Sequence, residues 1–451
     1  MKSVVEIGTR VEMFVDEWLT EEKRGVSLML HPPRREEIVL SFDRPWEGTG
    51  SGYATVIQER DRIRLYYRGI GSSTGNADHS QVTCYAESND GIHFVKPELG
   101  LFEYEGSTAN NIVWRGPFSH NFSPFLDRSP HTSPELRYKA VAGIDELAAF
   151  GSADGIRWRK LREAPILTDG DFDSLNTVFW DPNVQAYRCY SRIFQDAAYR
   201  AILMSTSTDF YNWDKQQLLR YDDLKPMQQY YTNSAMLCPE AEHLYMAFPM
   251  RFVPERKKLA NHPEPGVSDT VMLTSRDGLH WDRTFMEAWC RAGLDPLNWS
   301  DRSGILGTGC VQLNPDEFSF YIQEHYRLND SRLRRLTVRK HGFGSVHAGF
   351  EQGEWVSRPF ILEGNELSVN YSTSAVGYLQ FELQDERGRP LDGFRLEDTT
   401  PMYGDEIAGV VKWGPEADIE SWRRRPVRIR ILMKDADLFA LKWNDTANKG
   451  A

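Results

Sequence analysis

A short pattern recurs four times along this chain of 451 residues, and it constrains the fold more than any other feature. Each copy begins with an apolar or β-branched run, continues with Ser or Thr and then Asp-Gly or a near match, and ends on an aromatic residue. The copies are CYAESNDGIHF (84–94), AFGSADGIRW (149–158), LMSTSTDFYNW (203–213) and MLTSRDGLHW (272–281). They follow one another at roughly sixty residues, as expected of a repeated supersecondary unit.

The residue types of this motif predict a tight turn between two strands. Asp-Gly supplies the positive φ angles of such a turn, and the preceding Ser or Thr can hydrogen-bond the turn backbone. The motif aspartates are therefore predicted to be structural: Asp90, Asp154, Asp209 and Asp277. The aromatic residues after the turn are predicted to be buried between neighbouring sheets, at equivalent positions: Trp158, Trp213 and Trp281.

Short apolar and aromatic runs surround each copy, whereas long amphipathic helical patterns are nearly absent. A fifth, degenerate copy follows as LTVRKHGFGSVH (336–347), so five steps fill the chain from about residue 35 to 350. Units that repeat in this way bury their faces against one another. The sequence predicts an all-β fold with a five-bladed β-propeller of four strands per blade. A two-layer sandwich with chance Asp-Gly turns is the alternative.

The pattern changes after about residue 352, where no further blade motif occurs. Segments such as ELSVNYSTSAVGYLQFELQ and VRIRILMKDADLFALKW alternate apolar and polar residues, which predicts a C-terminal antiparallel β-sandwich. The predicted domains are a propeller with an N-terminal extension at 1–352, a sandwich at 353–445 and a solvated tail at 446–451. The sandwich either covers a flank of the propeller or binds sugar.

Composition excludes several functional classes. The net charge of −12 disfavours binding to nucleic acid or to an anionic membrane surface. Five cysteines without CxxC spacing predict reduced thiols and no structural zinc. No run of eighteen apolar residues occurs, so no membrane span is predicted. The expected location is the cytoplasm, with a secreted protein lacking its signal peptide as the alternative.

The functional residues of a propeller are expected where the inner strands of all blades begin, at one mouth of the central channel. Three carboxylates from separate blades are predicted to meet there as catalytic residues: Glu47, Asp173 and Glu324. Two carboxyl groups facing a glycosidic bond are what hydrolysis needs, and their separation decides between retention and inversion. Glu47 can instead be a solvated loop residue and Asp173 a turn cap. Glu324 lies inside an apolar strand, where a charge is costly unless it faces a polar cavity.

Polar and aromatic side chains at the same mouth are predicted to bind substrate: Trp46, Arg68, His120, Asn121, Asn176, Arg192, Asn233, Arg251 and His325. Three of them, Arg68, Arg192 and Arg251, fall at second-strand ends and predict a ring suited to a carboxylate or sulfate, hence an acidic sugar. The alternative is that each arginine pairs with an acid such as Asp145 or Asp196. Motifs of other chemistries (GxGxxG before a helix, GxxxxGK[ST] and HExxH) are absent, and no metal site is predicted.

The stretches FVDEWLTEEKRGVSLMLHPP, PWEGTG, CYAESNDGIHF, SHNFSPF, EHY and KDADLFALKW resemble bacterial proteins similar to glycoside hydrolase family 32. A propeller followed by a sandwich likewise resembles the hydrolases of families 32, 43, 62, 68 and 117. The resemblance implies hydrolysis of a glycoside, and it leaves room for a calcium or sodium ion in the channel. Neither WMNDPNG nor Arg-Asp-Pro nor Glu-Cys occurs where those families carry catalytic residues, so their assignments do not transfer.

The sequence is therefore interpreted as a glycoside hydrolase that releases a terminal sugar from a glycan or small glycoside. Two other classes stay open. A non-catalytic glycan-binding propeller would show arginine, asparagine and aromatic side chains at the mouth without a carboxylate pair. A polysaccharide lyase would need a Tyr or His base beside an arginine-neutralised uronate.

Overall fold

A computed structural model describes residues 3–70, 81–196, 199–221 and 224–446. Within these ranges the chain forms 32 β-strands and no α-helix, which confirms the all-β prediction. The four single-turn 3-10 helices are Pro134–Leu136, Pro296–Asn298, Leu396–Asp398 and Glu420–Trp422. No helix in the described ranges is long and apolar enough to cross a membrane.

The described chain begins with five strands: β1 (Val5–Glu6), β2 (Val11–Met13), β3 (Thr20–Arg24), β4 (Val26–Leu30) and β5 (Arg34–Ser41). Blade one then follows as β6 (Gly52–Gln58), β7 (Ile63–Ile70), β8 (Gln81–Ser88) and β9 (Ile112–Arg115). Blade two is β10 (Ser123–Leu126), β11 (Tyr138–Ala142), β12 (Ala148–Ser152) and β13 (Arg159–Lys160). Blade three is β14 (Thr177–Asp181), β15 (Ala186–Gln195), β16 (Tyr199–Ser207) and β17 (Gln217–Leu218).

Blade four is interrupted by a separate two-stranded ribbon. It contains β18 (Met236–Leu237), β19 (Tyr245–Ala247), β22 (Leu273–Ser275) and β23 (Trp281–Asp282), with the ribbon formed by β20 (Met250–Val253) and β21 (Val267–Thr270). Blade five is β24 (Val311–Asn314), β25 (Glu317–Glu324), β26 (Arg332–Arg339) and, as its fourth strand, β5. The early strand β5 thus completes the last blade, and the predicted five-bladed arrangement is confirmed.

Completion of blade five by β5 explains why the fifth motif copy is degenerate. In blades one to four the motif turn follows the third strand and leads to the fourth, and this connection is what the motif encodes. In blade five the fourth strand comes from residues 34–41, so no hairpin follows β26 and no turn residues are required there.

The motif turn has the same hydrogen bonds in blades one to four, as blade two illustrates. The Ser152 hydroxyl oxygen accepts hydrogen bonds from the backbone N–H groups of Asp154 (3.3 Å) and Gly155 (2.9 Å). The Asp154 carboxylate in turn accepts from the N–H groups of Ile156 (2.9 Å) and Arg157 (2.7 Å). The positive φ falls on the residue after the aspartate, +73° at Gly155, and not on the aspartate itself. The structural role predicted for the aspartates is confirmed.

The tryptophans that end the motif occupy equivalent positions, as predicted. Trp158 and Trp281 are buried and Trp213 is half-buried, each within the apolar core between two neighbouring blades. The indole N–H of each donates to the carbonyl of the positive-φ residue three positions earlier: Gly155 (3.1 Å), Phe210 (3.0 Å) and Gly278 (3.1 Å).

A second repeated contact connects the blades. A tyrosine on the second strand of one blade donates its hydroxyl proton to the turn carbonyl of the next blade. The three bonds join Tyr66 to Gly155 (2.9 Å), Tyr190 to Gly278 (2.8 Å) and Tyr321 to Gly91 (2.7 Å). Three of the four motif turns thereby receive a hydrogen bond that fixes their blade against a neighbour.

The remaining strands form one ten-stranded sheet with its own apolar core. Its later members are β27 (Gly344–Ala348), β28 (Gly353–Ser357), β29 (Phe360–Ile361), β30 (Glu366–Asp385), β31 (Asp405–Val410) and β32 (Pro426–Asn444). The two longest strands, β30 and β32, pair antiparallel along most of their length, with a break in register between Thr373 and Tyr378. The C-terminal part is therefore antiparallel β-structure, as expected.

The compact units of the chain differ from the expected domains. One unit is Pro33–Thr337 and the other combines Met1–Pro32 with Val338–Ala451. The expected boundary at 352/353 differs because β4 pairs with β27 and β3 pairs with β28, which assigns the early strands and residues 344–348 to the second unit. Of the expected tail at 446–451, all but Thr446 lies outside the described residues.

Candidate functional site

All five blades contribute a side chain near the start of their first strand, within the unit Pro33–Thr337. Two adjacent pairs are in direct contact, His120 with Asp173 and Tyr231 with Arg302, and Arg68 contacts both Tyr53 and His120. The contributing side chains, from blade one to blade five, are Tyr53, His120, Asp173, Tyr231 and Arg302.

Asp173 is the predicted catalytic carboxylate that this ring contains. Its side chain is 50% exposed, and its Oδ1 lies 2.5 Å from Nε2 of His120 in the preceding blade. Burial alone would raise the pKa of Asp173, but the hydrogen bond from His120 and the charges of His120, Arg192 and Arg68 outweigh it and lower that pKa to about 2. Asp173 is therefore ionised at neutral pH.

Arg68 connects Asp173 to the other side of the ring. Its Nη1 lies 3.4 Å from Nε2 of His120 and donates to Oδ1 of Asn121 (3.0 Å), while Nη2 donates to the hydroxyl oxygen of Tyr326 (3.1 Å). The guanidinium also lies 4.1 Å above the ring of Tyr53. Arg68, His120 and Asn121, which were predicted to lie at one mouth, thus belong to one network.

Tyr326 has an unusual environment for a buried phenol. Burial disfavours its ionised form, yet the positive charges of Arg68, Arg302 and Arg327 outweigh that effect and hold the pKa of Tyr326 below its ordinary value. At Tyr53 the effect of burial prevails over the nearby charges, and the pKa is raised well above the ordinary value. Of these two neighbouring tyrosines, Tyr326 is the one whose proton is more easily lost.

Arginine side chains also surround Tyr231. The guanidinium carbons of three of them lie 5.0 to 5.2 Å from its ring centroid. They belong to Arg192, Arg200 and Arg302. The mouth of the channel is therefore rich in positive charge although the chain as a whole carries −12.

Glu47, predicted to be catalytic, lies elsewhere in blade one. Its side chain is fully buried and accepts hydrogen bonds from Lys96 Nζ (2.6 Å), the Tyr67 hydroxyl (2.5 Å) and the backbone N–H groups of Asp43 (3.0 Å) and Arg44 (3.1 Å). These contacts hold the loop that enters blade one. The residues that hold Glu47 differ from His120, which holds Asp173.

Glu324, also predicted to be catalytic, forms a buried ion cluster in blade five. Its carboxylate accepts from Arg332 Nε (3.1 Å), Arg334 Nε (3.0 Å) and Asn298 Nδ2 (3.3 Å), and pairs with Arg35. Burial raises the pKa of Glu324 and the arginines lower it by more, so that it lies below the ordinary value. The structure therefore does not bring the three predicted carboxylates together.

His325 belongs to the same cluster rather than to the ring. Its Nδ1 lies 2.7 Å from Oδ2 of Asp330, and its Nε2 lies 2.8 Å from Oδ2 of Asp295. The chain has a positive φ of +57° at His325, and the neighbouring Tyr326 contacts Arg68 and Tyr53 instead.

The other predicted binding residues are engaged in protein contacts. Arg251 forms two parallel hydrogen bonds to Asp269 (2.8 and 2.6 Å), the pairing expected as the alternative but with a different acid from those named. Asn176 is buried and donates to backbone carbonyls, as does Asn233. The indole N–H of Trp46 donates to Asn111 (2.7 Å), in the part of blade one that holds Glu47.

Sequence reasoning missed five residues of the ring and its surroundings: Tyr53, Arg200, Tyr231, Arg302 and Tyr326. The first-strand starts GYATV and YTNSAML contain two of these tyrosines, and EHY contains the third.

A structural calcium ion does not fit the residues present in the channel. Calcium takes six to eight oxygen ligands, mainly carboxylates and carbonyls. The described residues contain no group of three or more His, Cys, Asp or Glu side chains that could hold a metal. Asp173 is moreover influenced by the positive charges of Arg192 and Arg68, which would repel a cation.

No protein-family model and no curated protein matches the sequence. Among solved structures, the chain is similar to an N-acetylgalactosamine deacetylase from F. plautii in complex with blood group B trisaccharide, with 12% identity and a TM-score of 0.46, covering 69% of this chain and 95% of that one. It is also similar to the β-1,2-mannobiose phosphorylase from Listeria innocua in complex with β-1,2-mannobiose (11% identity, TM-score 0.46, 69% and 97% covered). A glycosyl hydrolase from Bacteroides ovatus is similar as well (15% identity, TM-score 0.42, 68% and 93% covered). At these scores the likeness assigns no family, and membership of family 32 or 43 stays a prediction.

Proposed function

We propose that this protein is a glycan-processing enzyme, a glycoside hydrolase that acts on a sugar bound at the mouth of the propeller channel. The observation that carries the proposal is Asp173, a half-exposed and ionised carboxylate within a ring of side chains from all five blades. Tyrosine rings offer apolar faces to a sugar ring, and the polar groups beside them can bind its hydroxyls.

The ionised state of Asp173 selects its role. A carboxylate with a pKa of about 2 has no proton to give at neutral pH, so Asp173 is assigned as nucleophile or base. As a nucleophile it bonds to the anomeric carbon while the leaving oxygen departs; as a base it takes a proton from the attacking water. His120, 2.5 Å away, orients the carboxylate in either case.

The proton for the leaving oxygen is assigned to Tyr326. Its hydroxyl oxygen accepts a hydrogen bond from Arg68 (3.1 Å), which leaves its own proton available to a ligand. The lowered pKa of Tyr326 makes the phenol a stronger acid than an ordinary tyrosine. The proton released from water in the hydrolytic step then restores Tyr326. This assignment replaces the second carboxylate expected from the sequence.

The same tyrosine favours a second candidate, a polysaccharide lyase. A tyrosinate beside Arg68 and Arg302 can remove the proton next to a uronate carboxylate that the arginines neutralise. The product of such an elimination is an unsaturated uronate, which absorbs ultraviolet light, whereas hydrolysis leaves a saturated sugar with a new reducing end. Product analysis therefore separates the two candidates.

The test is a screen of nitrophenyl glycosides and of neutral, uronic and sulfated oligosaccharides with the wild type and matched variants. We expect Asp173→Asn and Tyr326→Phe each to lower kcat/KM by about 10²–10⁴-fold, the range for loss of an acid–base group. Glu163→Gln is the control, because the Glu163 side chain is fully exposed outside the ring. Stereochemical analysis of the product then distinguishes the nucleophile from the base, since only the covalent route retains configuration.

Two results would contradict the proposal. Equal activity of Asp173→Asn and Glu163→Gln on a substrate of the wild type would remove Asp173 from the chemistry. Tight binding of a sugar without turnover of any substrate in the screen would favour the non-catalytic glycan-binding propeller.

A further inference from the structure

Three guanidinium groups gather on one side of the ring, around the side chain of Tyr231. Their carbons lie at 5.2, 5.0 and 5.1 Å from its ring centroid, in the order Arg192, Arg200 and Arg302. We infer that these three arginines bind an anionic group, a sulfate or a carboxylate, on the sugar that occupies the mouth. The inference rests on the proposed function and adds the chemical class of its substrate.

Arg200 shows how the cluster is built. Its guanidinium lies against three aromatic rings, at 5.0 Å from Phe194, 5.0 Å from Tyr231 and 4.9 Å from Phe252. Rings that cover the face of a guanidinium fix its plane and leave its N–H edge for an acceptor. The acceptor for Nη1 is the neutral amide of Gln229 (3.1 Å), and Nε is buried without a hydrogen-bond partner among the described residues.

The charges of the cluster are only partly neutralised by the described side chains. Arg192 donates Nε to a backbone carbonyl, that of Asp171 (3.2 Å), and none of the described carboxylates lies within ion-pair distance of it. The described acidic neighbour of Arg302 is Asp301, at 3.5 Å from its Nε. Burial raises the pKa of Asp301, which weakens that acid as a counter-charge at low pH. Arg251, by contrast, has both edges of its fork satisfied by one carboxylate.

The arginines also repel one another. Burial and the charges of Arg192 and Arg302 lower the pKa of Arg200, against the opposing effect of Tyr231. Gathering like charges in this way is unfavourable until an anion binds, and a sulfate or carboxylate can accept parallel hydrogen bonds from a guanidinium fork. Arg192 also acts electrostatically on Asp173. An anionic group bound by Arg192 would therefore be separated from the Asp173 carboxylate by a positive charge.

The test measures binding without turnover. Glucose, glucuronate and glucose 6-sulfate differ only at carbon six, as do galactose, galacturonate and galactose 6-sulfate. Calorimetric titration of both series at low ionic strength, with inorganic sulfate as a probe that has no sugar stereochemistry, compares neutral with anionic ligands. The carboxylate and sulfate arms show which group the cluster prefers. The variant is Arg200→Gln, and the control is Arg128→Gln, whose side chain is 72% exposed.

We expect an anionic sugar to bind at least about tenfold more tightly than its neutral counterpart, and we expect Arg200→Gln to remove that preference. Arg128→Gln should keep it. In the wild type, added sodium chloride should weaken binding of the anionic ligand and leave that of the neutral one unchanged; this measurement stands even if Arg200→Gln fails to fold. Equal binding of neutral and anionic sugars, or no binding of sulfate and of either anionic series, would overturn the inference.

The inactive variant Asp173→Asn separates this inference from the proposed function. Preference for anionic sugars in Asp173→Asn, together with absence of turnover in the wild type, would support the anion site and contradict the enzyme. Turnover that depends on Asp173 but is confined to neutral sugars would support the enzyme and contradict the anion site.

Discussion

Substitution of Gly278 by alanine tests whether the tyrosine-to-turn hydrogen bonds hold the blades together. Gly278 has a φ of +80°, and a Cβ added there would lie 2.5 Å from Nη1 of Arg188 and 2.8 Å from the hydroxyl oxygen of Tyr190. Gly100 is a matched control, because its φ is +68° and nothing lies within 4 Å of the added Cβ. The two substitutions share the backbone strain and differ in the contact.

The expected free-energy changes follow from these contacts. Positive φ costs an alanine about 1–2 kcal/mol, partly offset because alanine also restricts the unfolded chain. Displacing Tyr190 in addition removes its 2.8 Å bond to the Gly278 carbonyl, which contributes about 0.5–1.5 kcal/mol. We expect Gly278→Ala to destabilise the propeller by about 2–3 kcal/mol, against about 1 kcal/mol for Gly100→Ala.

The assay is urea unfolding followed by tryptophan fluorescence, with midpoints compared because the chain contains two compact units. Tyr190→Phe removes the hydrogen bond without adding a Cβ, so Gly278→Ala should lower the midpoint less in that background than in the wild type. Arg192 lies two residues after Tyr190 on β15, so weakened binding of anionic sugars should accompany the loss of stability. Equal midpoints for Gly278→Ala and Gly100→Ala would refute the reasoning.

Three further outcomes are expected. Glu324→Gln should destabilise the propeller by about 3–5 kcal/mol in urea unfolding, since it removes the negative charge from a buried arginine cluster, and an unchanged midpoint would contradict this. Because the pKa of Glu324 is lowered in the folded protein, its stabilising contribution should be present above its ordinary pKa and should disappear as the pH falls. Asp173, with a pKa of about 2, should cause no acid inflection in kcat/KM between about pH 4 and about pH 7, and an inflection that disappears in Asp173→Asn would oppose the assignment. Burial raises the pKa of Cys189 and Cys310 to about 12, so native protein should react slowly with a thiol reagent and unfolded protein rapidly; fast native labelling at either residue would be inconsistent with the packing.

The fold was predictable because its constraint is local. Ser152, Asp154 and Gly155 form their turn through hydrogen bonds that span three residues or fewer, and the same residue types repeat in each copy. The sheet that combines early and late strands was not predictable in the same way. Pairing of β4 with β27 joins segments more than three hundred residues apart, and no local pattern specifies such a partner.

The carboxylates were predicted less well for a related reason. A glutamate inside an apolar strand requires a polar partner, and the sequence does not say whether that partner is a ligand or another side chain. For Glu324 it includes Arg35, 289 residues away on the strand that completes blade five. For Glu47 it is Lys96, which follows the first motif turn. Both glutamates meet the energetic requirement without facing the channel.

The internal repeat separates structural from functional positions within a single sequence. At the turn end of the blades the same residue types recur, because each copy forms the same hydrogen bonds within its turn. At the channel end the blades contribute a different residue each, at different distances from the start of the first strand, so these residues are not determined by a shared turn. The members that differ are Tyr53, His120, Asp173, Tyr231 and Arg302. Variation at one end of otherwise repeated blades therefore points to the site where a ligand, rather than the fold, determines the residue.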